Sequence, residues 1–196
     1  MNTKINTKRK RVKFASDNVT GACPEVLEAV IKANDGIVPP YGNDEISGVL
    51  QEKFSKIFEK DVIVYPTASG TASNALALSA ISPSFGNIYC HKFSHINVDE
   101  CGAPEFYTGG AKLVPLNGED GKITTEELKN SIGGFGIVHH TQPSIVSITQ
   151  ATETGEVYTL EQIKNISEIT HKHNLKMHMD GARFANALVS LDVSPA

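Results

Sequence analysis

The chain contains the stretch Leu175-Lys176-Met177-His178-Met179, followed directly by Asp180-Gly181-Ala182-Arg183. The first five residues come directly after a segment with a helical pattern, and they predict a β-strand. Asp180 therefore comes at the carboxyl end of that strand. In open α/β sheets, ligands bind outside the carboxyl ends of the strands, because side chains and helix N-termini converge there. Asp180 and Arg183 are therefore candidates for a binding site, although an aspartate that caps a helix beside a surface arginine gives the same pattern.

The chain from Phe14 onward alternates short β-branched runs with longer helical runs, which favours an α/β fold. Further strands are predicted over residues 62–65, 88–91, 112–115 and 144–149. Helices are predicted from Pro24, over 46–58, after the turn at 67–70, from Thr124 and from Thr159. The last two begin with candidate capping boxes, Thr124 with Glu127 and Thr159 with Gln162.

The composition indicates a soluble protein that binds a small molecule. The chain has 196 residues, of which 40% are apolar, and its net charge of −4 and pI near 6.0 give no electrostatic reason to bind nucleic acid or a membrane surface. Cys23, Cys90 and Cys101 match no zinc or redox spacing, and the histidines show no ligand set, so we expect a reducing, cytoplasmic setting without a metal. No apolar run is long enough to cross a membrane, and no signal peptide follows Met1.

Residues 1–13 form a separate region that is rich in lysine and arginine and has no acidic residue. We expect a basic, solvated and disordered tail there, and one globular domain over 14–196. A transit peptide or a nucleic-acid-binding arm is less favoured, because the stretch lacks serine-rich amphipathic character and interleaved aromatic residues.

A second candidate binding segment is Thr67-Ala68-Ser69-Gly70-Thr71-Ala72-Ser73-Asn74. A glycine among small hydroxyl residues at a helix start lets backbone N–H groups approach a phosphate. The alternative is that Thr67 or Ser69 only caps the helix. A nucleotide-binding loop is disfavoured, because the segment has neither a GxxxxGK[ST] nor a GxGxxG pattern.

Together these motifs resemble those of the fold-type I enzymes that depend on pyridoxal 5′-phosphate (PLP), specifically the threonine aldolase and β-eliminating lyase group. The resemblance spans nearly the whole chain and implies the large domain of that fold, with a mixed, mostly parallel sheet flanked by helices. It also implies a homo-oligomer, a dimer or tetramer. The stretches that carry it are Phe14-Ala15-Ser16-Asp17-Asn18-Val19-Thr20, Tyr41-Gly42-Asn43-Asp44, Ser69-Gly70-Thr71-Ala72-Ser73-Asn74, Ser94-His95 and His178-Met179-Asp180-Gly181-Ala182-Arg183.

The resemblance assigns a set of residues to the cofactor. Gly70 and Thr71, with Ser69 beside them, would hold the phosphate of PLP, and the imidazole of His95 would stack on the pyridine ring. Asp180 would pair with the ring nitrogen. A carboxylate there favours the protonated nitrogen, which makes the ring a better acceptor of the electrons left when a bond to Cα breaks.

A second set of residues would act on the amino-acid substrate. Arg183 would face either the phenolate oxygen of the cofactor or the substrate carboxylate, and Ser16 would help to hold that carboxylate. A histidine near the site could take the proton of the β-hydroxyl group. His95 is the first candidate for this catalytic role, and His91 is the alternative.

The implied activity is that of a low-specificity threonine aldolase, a lyase of threonine catabolism and glycine biosynthesis that cleaves L-threonine or a related β-hydroxy-α-amino acid to glycine and an aldehyde. Asn18 and Tyr41-Gly42-Asn43-Asp44 depart from the usual residues of the family, and we expect these changes to alter substrate fit without preventing PLP binding. The family's cofactor-bonding lysine lies beyond the Asp-Gly-Ala-Arg motif, and this sequence has no lysine after Lys176. We therefore expect the C-terminal part of the domain to be missing and the chain to be inactive alone. The alternative is a non-catalytic remnant, or half of a split gene, that acts through another subunit.

Overall fold

The computed structural model describes residues 19–196, which form two compact units that divide after Val49. The predicted tail over 1–13 and the candidate residue Ser16 lie outside the described residues. The first unit contains helices α1 (Pro24–Ala33) and α2 (Glu45–Gly48). Proline begins α1, as the sequence predicts. An N–H group at the first helical position has no partner within the helix, so proline, which lacks this group, is tolerated there.

The second unit, residues 50–196, is an α/β sheet structure. Its helices are α3 (Leu50–Ile57), α4 (Gly70–Ile81), α5 (His95–Val98), α6 (Ala103–Tyr107), α7 (Thr125–Ser131), α8 (Leu160–Lys172) and α9 (Phe184–Leu191). Its strands are β1 (Gly86–His91), β2 (Lys112–Leu116), β3 (Gln142–Thr149) and β4 (Lys176–Asp180). No helix in the described part of the chain is long and apolar enough to cross a membrane.

The four strands are all parallel and lie in the order β2-β1-β3-β4. Their carboxyl ends therefore meet at one edge, where His91 is in register with Leu116 and Thr149 with Asp180. The chain leaves β1 for β2 on one side and returns to β3 on the other, so the strand order reverses between β1 and β3. Crevices outside such a reversal are the usual ligand sites of open α/β sheets.

The sheet is covered on both faces, as is usual for parallel sheets. Successive residues of β1 enter opposite layers, because side chains alternate along a strand: Tyr89 enters one core cluster and Ile88 enters the other. The larger cluster joins the sheet to α7 and α8, and the smaller one joins it to α4 and α5. The larger cluster consists of Tyr89, Leu116, Ile123, Leu128, Val146, Ile148, Tyr158, Ile166, Ile169 and Leu175.

The predicted strand over 62–65 is wrong, because those residues pair with no strand among residues 19–196. The amide of Gln51 binds both backbone groups of Val64 instead, at 2.9 Å to its carbonyl and 3.0 Å to its N–H. Ile63 and Tyr65 are exposed. The backbone groups of Val64 are therefore satisfied by a side chain from α3 and not by a neighbouring strand.

The helix predicted over 46–58 is divided into α2 and α3 at Val49. The two capping boxes also differ. Thr159 and Gln162 form both reciprocal bonds, whereas Thr124 accepts from the backbone of Glu127 without the reverse bond. The Glu127 carboxylate accepts instead from the backbone N–H of Asn117, at 3.4 Å.

Candidate active site

Asp180 ends β4 with its carboxylate held on both oxygens. Its Oδ1 accepts from the N–H of Ala182 at 3.0 Å. Aspartate commonly accepts from the backbone N–H two residues later, and this bond closes a local turn. Its Oδ2 accepts from Nδ2 of Asn74 on α4, also at 3.0 Å. The side chain is therefore fixed in direction and only half-buried at the carboxyl edge of the sheet.

The start of α4 combines a cap with open backbone donors. Ser69 is the N-cap residue, and its Oγ accepts from the N–H of Ala72 at 3.2 Å. The N–H groups of Gly70 and Thr71 belong to the first turn and have no partner within the helix. A Cβ atom placed on Gly70 would meet nothing within 4 Å among the described residues, so the space beside Gly70 is open. Capping by Ser69 and phosphate binding are therefore compatible.

His95 begins α5, just after β1, and its side chain is 45% exposed. Its Nδ1 lies 2.8 Å from Oε1 of Glu100, and its backbone N–H donates to Oε1 of Glu153 at 2.8 Å. Glu153 follows β3 and also accepts from the hydroxyl of Thr149, at 3.0 Å. The imidazole is thus held at its Nδ1 side and accessible elsewhere.

His91, the alternative catalytic histidine, is buried and uses both ring nitrogens within the fold. Its Nδ1 accepts from the N–H of Phe93 at 3.2 Å, so its Nε2 carries the proton and donates to the carbonyl of Gly118, also at 3.2 Å. With both nitrogens occupied, His91 supports the loop after β1 and is less suited than His95 to proton transfer.

Arg183 is partly buried at the start of α9, where its Nε donates to the carbonyl of Ala151 at 3.1 Å. Among residues 19–196, the two terminal amino groups of its guanidinium have no hydrogen-bond partner. The bond at Nε therefore fixes the planar group and leaves its outer edge for a carboxylate or phosphate-like anion.

Two side chains that the sequence did not single out connect Asp180 with His95. Asn74 donates through Nδ2 to Oε1 of Glu100 at 2.7 Å as well as to Asp180, and Glu100 in turn binds His95. Asn74 lies in the segment that is predicted to hold the phosphate, but nothing in the sequence indicates that it contacts Glu100. Glu153 could have been found, because it closely follows β3 at the carboxyl edge of the sheet.

Comparison with solved structures defines the fold. A threonine aldolase of Leishmania major aligns with a TM-score of 0.80 and 26% identity, over 87% of this chain and 49% of that chain. An alanine aminotransferase from Pyrococcus furiosus shares the fold at a TM-score of 0.56 and 16% identity, over 79% and 39% of the two chains. The fold is therefore that of the fold-type I PLP-dependent enzymes, as predicted.

The sequence profile of the beta-eliminating lyase family matches residues 13–196, and this chain belongs to that family. It is 42% identical to a low specificity L-threonine aldolase of Pseudomonas sp. over 93% of this chain and 53% of that protein. A probable low-specificity L-threonine aldolase 2 of Arabidopsis thaliana is 28% identical over 94% and 52%. The chain thus spans about half the length of these relatives. The predicted family is confirmed, and enzymes of this family use PLP.

Proposed function

We propose that residues 14–196 form the PLP-binding large domain of a lyase that cleaves L-threonine or a related β-hydroxy-α-amino acid to glycine and an aldehyde. The observation that carries the proposal is the hydrogen-bonded connection between Asp180 and His95 at the carboxyl edge of the sheet. Family membership and the names of the relatives supply the reaction class.

The groups at this edge fit the chemistry of PLP. Ser69, Gly70 and Thr71 would hold the phosphate, since the N–H donors of the first helical turn and the positive end of the α4 dipole favour an anion. Asp180 would hold the proton on the pyridine nitrogen, and His95 would cover one face of the ring. When bound, PLP supplies the electron sink for breaking a bond to the Cα of an amino acid.

The remaining groups would act on the substrate. The outer edge of Arg183 would hold the substrate carboxylate or the phenolate oxygen of PLP, and Ser16 would add a second contact to the carboxylate. His95 would take the proton from the β-hydroxyl group, because its imidazole is accessible and fixed from behind by Glu100.

The proposal also includes the setting of the enzyme: a cytoplasmic homo-oligomer, a dimer or tetramer, with a basic tail over 1–13. The partner is an amino acid, without nucleic acid, membrane or metal. Within the described residues, no group of three or more His, Cys, Asp or Glu side chains is arranged to hold a metal ion.

The experiment is a titration of the chain with PLP, followed by absorbance. We expect saturable binding that Asp180→Ala and His95→Ala weaken by tenfold or more, about 1.4 kcal/mol. His171→Ala is the matched control, since His171 is an exposed histidine on α8, and within residues 19–196 its side chain bonds only to Ser167. No binding by the unmutated chain, or equal binding by all variants, contradicts the proposal.

The same preparation tests the expectation that the chain is inactive alone. After addition of L-threonine, glycine should form no faster than with free PLP. Faster formation by the purified chain, abolished in His95→Ala, would contradict that expectation and support the assigned role of His95.

A further inference from the structure

The side chain of Asn74 lies between two carboxylates and donates to both. One Nδ2 hydrogen goes to Asp180 at 3.0 Å and the other to Glu100 at 2.7 Å. Ionised carboxylates only accept, so the amide nitrogen of Asn74 must face them and its orientation is determined. Asn74 itself is only 6% exposed, which shields both bonds from water.

Glu100 is the centre of this arrangement. Its side chain is fully buried, with 0% exposure, and its Oε1 accepts from Asn74 while lying 2.8 Å from Nδ1 of His95. Its Oε2 has no hydrogen-bond partner among the described residues. Leaving a carboxylate oxygen buried and unpaired is unfavourable, so such a group at a binding site calls for a functional explanation.

The bond from Glu100 determines which nitrogen of His95 carries the proton. In a neutral imidazole one nitrogen donates and the other accepts, and the partner of one nitrogen sets the state of the other. Since Oε1 of Glu100 presents lone pairs to Asn74 and to His95, Nδ1 must be the protonated nitrogen. Nε2 then has its lone pair directed away from Glu100.

We propose that Glu100 is a positioning residue that holds His95 in the Nδ1-protonated form and, through Asn74, joins it to Asp180 as one hydrogen-bonded unit. A buried carboxylate has the same effect on the histidine of serine proteases, where it sets the tautomer without losing its charge. The catalytic meaning of the unit rests on the proposed function, because it leaves Nε2 of His95 able to accept a proton from the substrate.

The test is a nitrogen-15 NMR spectrum of the histidine side chains of the chain without PLP, above the pH at which imidazoles are charged. The signal of His95 is assigned by its loss in His95→Gln. We expect the Nδ1-protonated pattern for His95. An Nε2-protonated pattern in the unmutated chain overturns the proposal without the need for any variant.

Substitutions at Glu100 separate its acceptor from its charge. Glu100→Met removes the acceptor, and we expect His95 to lose the Nδ1-protonated pattern. Glu100→Gln should keep it, because the donor of Asn74 requires the carbonyl oxygen of Gln to take the place of Oε1. Glu105→Met is the matched control: it removes another glutamate whose Oε2 is buried and has no partner in the described part of the chain, but which makes no hydrogen bond to His95.

An unchanged His95 pattern in a folded Glu100→Met chain, or an equal loss in Glu105→Met, overturns the inference. Should Glu100→Met fail to fold, the pattern of the unmutated chain and of Glu100→Gln decides. Failure of the proposed function gives a different result, namely no PLP binding by a chain whose His95 is still Nδ1-protonated.

Discussion

At the scale of single residues, Asn74 shows how one side chain can stabilise two acids. It is buried and supplies hydrogen bonds to Glu100 and Asp180 at once. Replacing it by leucine keeps the volume but removes both donors. A buried acceptor that loses its partner costs about 1–3 kcal/mol, and more if it is charged.

We therefore expect Asn74→Leu to lower the free energy of unfolding by about 2 kcal/mol or more, measured by urea denaturation at neutral pH. Asn165→Leu on α8 is the control, because Asn165 is exposed. It should change stability by less than about 0.5 kcal/mol. Equal stability of the two variants would show that the bonds of Asn74 contribute little.

His178 gives the structure a dependence on pH. It is buried, its Nδ1 lies 2.9 Å from the hydroxyl of Ser147, and burial lowers the pKa of its imidazole while the nearby Asp180 acts in the opposite direction. The unfolded chain, with a histidine pKa of about 6.5, binds a proton at a higher pH than the folded chain does. The contribution of neutral His178 to the free energy of unfolding is therefore fully present above the unfolded pKa of about 6.5 and decreases as the pH falls below it.

We expect the free energy of unfolding to fall between neutral pH and about pH 5.5, below the unfolded pKa. In His178→Gln this part of the decrease should disappear, whereas His171→Gln, an exposed histidine, should keep it. Urea denaturation at several pH values measures both. The same slope in all three proteins would contradict the assignment to His178.

At the scale of elements, the cap of α8 is the clearest local determinant of where a helix begins. Thr159 and Gln162 satisfy each other's backbone N–H groups at 3.2 Å and 2.9 Å, just before a helix whose apolar side faces the larger core cluster. We expect Thr159→Ala to lower stability by about 1 kcal/mol, within the range for lost N-caps. Thermal unfolding measures this change.

Ser190→Ala is the control for that cap, since Ser190 is exposed within α9 and is not an N-cap residue. It should be nearly neutral. A Thr159→Ala chain as stable as Ser190→Ala would mean that the packing of α8 alone determines where the helix begins.

The elements also show what could be predicted from the sequence. The β-branched and apolar runs of β1 to β4 predicted those strands to within two residues, because a buried strand needs such residues on both faces. The same signal failed over 62–65, where Gln51 satisfies the backbone from thirteen residues away. The motifs made Asp180 and the start of α4 candidates, but Asn74 and Glu100 become candidates only through contacts across the fold.

At the scale of the whole molecule, burial divides the three cysteines into two groups. Cys23 and Cys101 are exposed, whereas Cys90 is buried in β1, where burial raises the pKa of its thiol to about 11. A thiol reacts as its thiolate. Cys90 is therefore protected both because reagents do not reach it and because its thiol stays protonated.

We expect a chromogenic thiol reagent to label two cysteines of the native chain rapidly at mildly alkaline pH and the third only as fast as the structure opens. Cys90→Ala should abolish the slow phase, and Cys101→Ala should reduce the fast phase. Rapid reaction of all three thiols in the native chain would contradict the packing of β1 between two core clusters.

The bond between Asn74 and Asp180 joins residues that are 106 positions apart. Closing so long a loop is entropically unfavourable until the intervening strands are in place, and contacts of this kind form late in folding. Ribosomal synthesis adds a further delay, because Asp180 leaves the ribosome long after α4. His95, Glu100, Asn74 and Asp180 thus come together only when β4 has joined the sheet, and retention of PLP at the proposed site would signal that this part of the domain has assembled.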